Sequence, residues 1–167
     1  MKSIRNIKVR QLVDWKAAMA AGLAGGLVSF TSNILLSSWV LGSTWLLTKI
    51  IASILLGEAM LPPPADFSWP VLFSSLLIHL LLSVIFASLI AIVVHQWGII
   101  ISFLGGAMMG LAFYTIAFYT FSILFPWFFA FRSWIFLVMY VLYGAFTGSV
   151  YELLEVEKYV EIKTGGA

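Results

Sequence analysis

The chain has 167 residues, of which 62% are hydrophobic and 10% charged. A soluble domain carries about 25% charged residues, so this composition excludes a soluble globular domain. It predicts one integral membrane bundle over residues 1–167, with no linker or soluble insert. The absence of cysteine excludes disulfides, thiolate metal sites, iron–sulfur clusters and covalent c-type haem, and a formal charge of +2 gives no basis for a nucleic-acid partner.

Residues 1–16 are basic. Ile4, Ile7, Leu12 and Trp15 share a helical face while Lys2, Arg5, Arg10 and Lys16 point elsewhere and Lys8 falls towards the apolar side. This spacing predicts an interfacial helix lying on the membrane. Ala18-Met19-Ala20 follows a polar stretch with no hydrophobic region before it, so no cleaved signal peptide is expected.

The first span is predicted at 17–41, beyond the ~20 residues needed to cross a bilayer. In the following loop, residues 45–56 place apolar pairs at 46/47, 50/51 and 54/55. That is helical spacing, but the segment is short and Lys49 sits near its centre. It reads as an interfacial helix at the outer surface, ended by Gly57 and the Pro62-Pro63-Pro64 run. A fifth span is the alternative reading.

The second span is predicted at 71–94, the third at 99–125 after the short turn HQWG, and the fourth at 133–154. The aromatic FPWFFAFR connects the last two, and a charged tail follows. Its glutamates Glu152, Glu155, Glu157 and Glu161 alternate with apolar residues, which reads as a helix emerging from the membrane. Trp39, Trp69, Trp97, Trp127 and Trp134 fall at span ends, as an aromatic belt requires. The fold class expected is all-α: a polytopic bundle of four transmembrane helices plus the interfacial helix of the first outer loop.

Four spans put both termini on one side. Lys2, Arg5, Lys8, Arg10, Lys16, Lys158 and Lys163 lie there, against Lys49 and Arg132 on the other, which places the termini in the cytoplasm. A faint internal echo pairs GLVSFT (26–31) with GLAFYT (110–115), and FSW (67–69) with RSW (132–134). It suggests two hairpins related by duplication.

Each span carries small or polar residues every three to four positions. The first has Gly22, Gly26, Ser29, Asn33 and Ser37; the second Ser75, His79, Ser83, Ala87, Ala91 and His95. The third has Ser102, Gly106, Gly110 and Tyr114; the fourth Tyr140, Gly144 and Gly148. Small residues at this spacing let membrane helices approach closely, so Gly22, Gly26, Gly106, Gly110, Gly144 and Gly148 are expected to pack helices. Gly25-Gly26 and Gly105-Gly106 are helix-embedded and are not nucleotide loops.

Depth groups the polar residues. Asn33 and His79 each lie eight residues inside the outer boundary, ~12 Å deep, with Tyr140 at ~10 Å and Tyr119 at ~9 Å. These four form a candidate intramembrane polar cluster, with Tyr119 off its helix's small stripe. An ionisable group inside the membrane reads first as functional. Against that, no carboxylate lies within a span interior, so a structural hydrogen-bond cluster is the competing reading.

The only two histidines, His79 and His95, are sixteen residues apart on one helix, ~24 Å, so they cannot share a metal ion or sandwich a haem within one chain. No Ser–His–carboxylate set falls at one depth. No catalytic residue, metal or cofactor is therefore expected.

KIIASILLGEAMLPPPADF (49–67), HLLLSVIFASLIA (79–91) and AFYTIAFYTFSILFPWF (112–128) resemble a family of small uncharacterised four-span bacterial inner-membrane proteins, some given transporter-like names. The resemblance covers most of the chain and implies a bacterial inner membrane; it carries no catalytic residues over.

Function is accordingly expected to be non-catalytic. One reading is an accessory or structural subunit packing against a larger membrane complex, motivated by FPWFFAF and by the missing buried carboxylates. Another is a small oligomeric transporter or channel with a polar path near Asn33 and His79, and a third, resting only on the aromatic outer loop, is an enzyme acting on lipid or quinone. The expected partners are the lipid bilayer and other membrane subunits or further copies of the chain.

Overall fold

The computed structural model describes residues 8–162. Four helices are long and apolar enough to cross a membrane, and the protein is an all-α polytopic bundle. α1 spans Trp15–Leu41, α2 Leu46–Leu56, α3 Trp69–Val94, α4 Gly98–Thr115 and α5 Trp134–Leu154. Two short strands, β1 (Lys8–Leu12) and β2 (Lys158–Ile162), pair antiparallel. Both ends of the described chain therefore meet at one end of the bundle, called here the sheet end; the opposite end carries the long connections and is the loop end.

The surface is patterned for lipid. Leu35, Trp39, Ile100, Met108 and Leu153 are 70–80% exposed, whereas Ser37, Ser75, Ser83, Ser102 and Thr147 are buried. Large apolar groups face outward because the solvent there is hydrocarbon, and small residues fill the seams because they let backbones approach.

α1 packs on α3 and α5, and α4 packs most closely on α5. A β-carbon at Gly22 would lie 2.7 Å from Val84 Cα, and one at Gly26 would lie 2.9 Å from Leu80 and Ser83. These two glycines close the α1–α3 seam. The adjacent Gly25 faces Thr147 on α5, so consecutive glycines serve two different neighbours. Between α4 and α5, Gly106 meets the Gly144 carbonyl, Gly110 the Tyr140 carbonyl and Gly148 the Ser102 carbonyl. This is backbone-to-backbone contact.

The core divides into two clusters. Ala17, Ala18, Ala21, Ile90, Ala91, Val94, Phe113 and Tyr151 fill the sheet half. Leu47, Ile50, Tyr114, Phe118, Phe128 and Phe136 fill the loop end, and Tyr140 packs against both.

The structure revises two expectations and refines a third. First, the interfacial helix expected over 1–16 is replaced among the described residues: 8–12 are a strand and α1 begins at Trp15, while 1–7 lie outside the described residues. The cause is the pairing of Lys8–Leu12 with the tail, which also makes that tail a strand and not an emerging helix. Second, the interfacial helix expected in the first outer loop is α2, seated at the loop end with its inner face packed into the core. Leu47, Ile50, Ala52 and Ser53 are buried, and the Lys49 ammonium donates to the Pro62 and Pro64 carbonyls at 2.8 and 2.9 Å. A lysine at mid-helix is thus accommodated by carbonyl oxygens of the proline loop, with no membrane crossing. Third, FPWFFAFR folds back as a 3-10 helix over Pro126–Phe131 with Phe128 buried. Trp127 accordingly packs on the loop-end cluster and leaves the belt, its Nε1 buried and without a partner among the described residues. Trp39, Trp69, Trp97 and Trp134 stay 60–80% exposed at the helix ends.

A latch holds the sheet end. Asp14 caps α1: its Oδ1 accepts from Lys16 N at 3.0 Å and Ala17 N at 3.3 Å, and its Oδ2 from Val156 N at 3.3 Å. The Asp14 N–H donates to the Tyr151 hydroxyl. One side chain thereby ties the start of α1 to the chain leaving α5. Burial pushes the Asp14 carboxyl up, but the Ala17, Val156 and Lys16 donors and the Lys158 charge outweigh it and hold the pKa below its ordinary 3.8. A depressed carboxylate stabilises the fold above its unfolded pKa and loses that contribution as pH falls through the folded value. Asp14→Asn is expected to cost about 1 kcal/mol near neutral pH. Unfolding midpoints in detergent should show this gap closing below about pH 4; a gap independent of pH would contradict the charge assignment.

Candidate functional site

The helices bring polar side chains to one level because α1 runs from the sheet end to the loop end while α3 and α5 run back. Ser29 and Asn33 on α1, His79 and Ser83 on α3, and Tyr140 and Tyr143 on α5 line one cavity of about 60 Å³, with Leu82, Phe86 and Met139. A neighbouring cavity of about 80 Å³ is lined by Ile50, Ile51 and Ile54 of α2 and by Phe118, Phe121, Phe128, Phe131 and Phe136. Asn33, His79, Leu82, Phe86 and Tyr140 line both. Both walls are mostly apolar; the first chamber carries most of the polar side chains, the second is aromatic, and they join at the Asn33–His79–Tyr140 layer.

The floor lies towards the sheet end. Ser83 Oγ donates to the Gly22 carbonyl at 2.8 Å, and Tyr143 OH lies 2.6 Å from Ser83 Oγ. The Ser83 proton being committed to Gly22, the tyrosine donates. Phe86 stacks on Phe113 at 4.0 Å between centroids, closing the floor against α4. Below this level the glycine seams bring the backbones together, so the two chambers end blindly at the Ser83–Tyr143 pair.

His79 Nε2 lies 2.9 Å from Ser29 Oγ, and its ring packs against Phe30 at 5.4 Å. Which of the two groups donates depends on the imidazole tautomer. His95 differs: its Nδ1 lies within 3.2 Å of the Ala91 and Ile92 carbonyls and its Nε2 bonds Gln96, all at the helix end. Among the described residues, the Asn33 amide and the Tyr140 hydroxyl make no hydrogen bond, and both residues line the cavity with His79.

Of the four residues assigned by depth, the structure brings three together. Tyr119 does not join them. It is 48% exposed and faces Arg132, whose guanidinium carbon lies 5.2 Å from its ring centroid. The helix itself gives the reason: α4 passes at Ile116 into a π-turn, Ile116–Thr120, with the Phe121 N–H bonded to the Ile116 carbonyl. The wider turn changes the angular phase, directing Phe118 inward and Tyr119 outward. Such π-turns recur at functional sites, and this one supplies Ile116, Ala117 and Phe118 to the cavity wall. Tyr143 was missed at the sequence level, although it sits one helical turn after Tyr140.

No Asp, Glu, Lys or Arg lines either chamber. Among the described residues no three His, Asp or Glu side chains are placed to hold a metal ion. The arrangement can solvate an uncharged solute through neutral donors and acceptors. A charged one would enter a low-dielectric space without a counter-ion, at a cost of several kcal/mol. No protein-family model, curated protein or solved structure matches this chain.

Proposed function

We propose that this chain is a non-catalytic integral membrane protein that holds a small uncharged molecule inside its bundle, as the binding part of a larger transport assembly. The joined, charge-free cavity at Asn33, His79 and Tyr140 carries this reading. The blind floor bears on how it acts. Among the described residues the two joined cavities stop at the Ser83–Tyr143 pair, so moving a bound solute requires partner chains, further copies or a second conformation. That unites the accessory-subunit and transporter expectations. The support for partners changes, however, since the FPWFFAF segment covers its own core. The remaining large apolar surface serves lipid and neighbouring helices alike.

The bacterial inner membrane follows from the family resemblance, and the orientation from charge. Arg10, Lys16 and Lys158 stand at the sheet end. At the loop end, Lys49 is bound by carbonyls and Arg132 is exposed over the Phe129 ring. The sheet end is assigned to the cytoplasm.

Purification from native membranes in mild detergent tests the proposal. Other membrane chains are expected to co-migrate, and an organic extract of the complex should contain an uncharged molecule that is absent when His79→Ala is purified. Migration as a bare monomer or simple homo-oligomer, with an empty extract, would contradict it.

A further inference from the structure

The junction of the two chambers narrows the ligand further, and this step rests on the cavity being the binding site proposed above. At membrane depth an unpaired polar group is expensive. Yet the Asn33 amide and the Tyr140 hydroxyl are left without partners among the described residues at one level, each lining both chambers beside His79. Each of the two has an available proton, an amide N–H and a phenol O–H. Their natural complement is a group that accepts without donating.

We propose that this layer binds a neutral amphiphile whose head carries carbonyl oxygen, with its hydrocarbon tail in the phenylalanine-lined chamber. An alkylated or prenylated quinone has this chemistry. The head accepts from Asn33 and Tyr140, and its flat ring meets aromatic surfaces: Phe86 is stacked on Phe113, and Tyr140 stands edge-on to Phe118 at 5.9 Å. The tail chamber, about 80 Å³, is lined almost wholly by aliphatic and aromatic side chains, and a longer tail continues from it into the bilayer. Its wall includes Ile116, which is 38% exposed on the lipid-facing side of the π-turn.

The test uses the full chain in phosphatidylcholine nanodiscs and equilibrium binding of a decyl-substituted benzoquinone, with 1-decanol as the hydroxyl-headed control and empty nanodiscs as background. Saturable quinone binding is expected. Tyr140→Phe and Asn33→Leu should each weaken it about tenfold, the worth of one hydrogen bond at such a site. Decanol should bind at least about tenfold more weakly than the quinone. Tyr140→Phe keeps the ring and its packing, so its unfolding midpoint should match wild type, separating lost binding from lost fold. Decanol binding as tightly as the quinone would overturn the carbonyl assignment while leaving the cavity a lipophile site. Absence of saturable binding for both probes, or binding unchanged by both substitutions, would overturn the site itself and with it the proposed function.

Discussion

Gly106→Ala and Gly144→Ala are each expected to destabilise the bundle by about 3 kcal/mol, the scale of overpacking that a rigid backbone cannot relieve. The two positions are reciprocal. A methyl on Gly106 falls on the Gly144 carbonyl, and one on Gly144 falls on the Gly106 carbonyl. Relief requires α4 and α5 to move apart along a seam where Gly110 and Gly148 also touch backbone. The neighbouring Gly105 provides the internal control. Its methyl would meet only Val94 Cγ1, at 3.1 Å, and that side chain can shift by a few tenths of an ångström. Gly105→Ala also gains helix propensity, so its net effect should stay within about 1 kcal/mol. Thermal unfolding in detergent, followed by circular dichroism, distinguishes the cases; equal losses at 105 and 106 would contradict the seam. Tyr140 stands one turn before Gly144, so separating α4 from α5 also displaces a cavity wall.

These seams were legible because their physics is local. A small residue every fourth position marks where a membrane helix meets a neighbour, and the stripes through Gly22, Gly26, Gly106 and Gly144 lie in the buried interfaces. Depth is equally local, a matter of counting residues from a span end, and it levels Asn33, His79 and Tyr140, which line one cavity. Depth carries no azimuth, however. Tyr119 has the right height and the wrong direction, because the π-turn at Ile116–Thr120 changes the phase that a straight helix would give. The sheet was illegible for another reason. KVRQL pairs with KYVEI across 150 residues, and five-residue segments with mixed periodicity carry no sign of a partner so distant. The burial of α2 followed the same logic: its apolar pairs identified a face to be covered, but only the fold shows it covered by the loop-end core, with Lys49 turned onto the proline carbonyls.

The central claim is that the loop half of the bundle encloses an accessible polar cavity while the sheet half is sealed. Because the chain contains no cysteine, single cysteines report on this directly. Asn33→Cys and His79→Cys place thiols on the cavity wall. Ser102→Cys, at a fully buried position in the α4–α5 seam, places one where no space exists. A thiol reacts with a maleimide only as thiolate, so labelling requires both reagent access and water. In native membranes, N-ethylmaleimide is expected to label the 33 and 79 variants at least about tenfold faster than the 102 variant, whose thiol is held in its neutral form by burial and by the neighbouring Glu152 carboxylate. All three should label equally once denatured. Equal, slow labelling at all three positions before denaturation would show the cavity closed to solvent and would contradict the account.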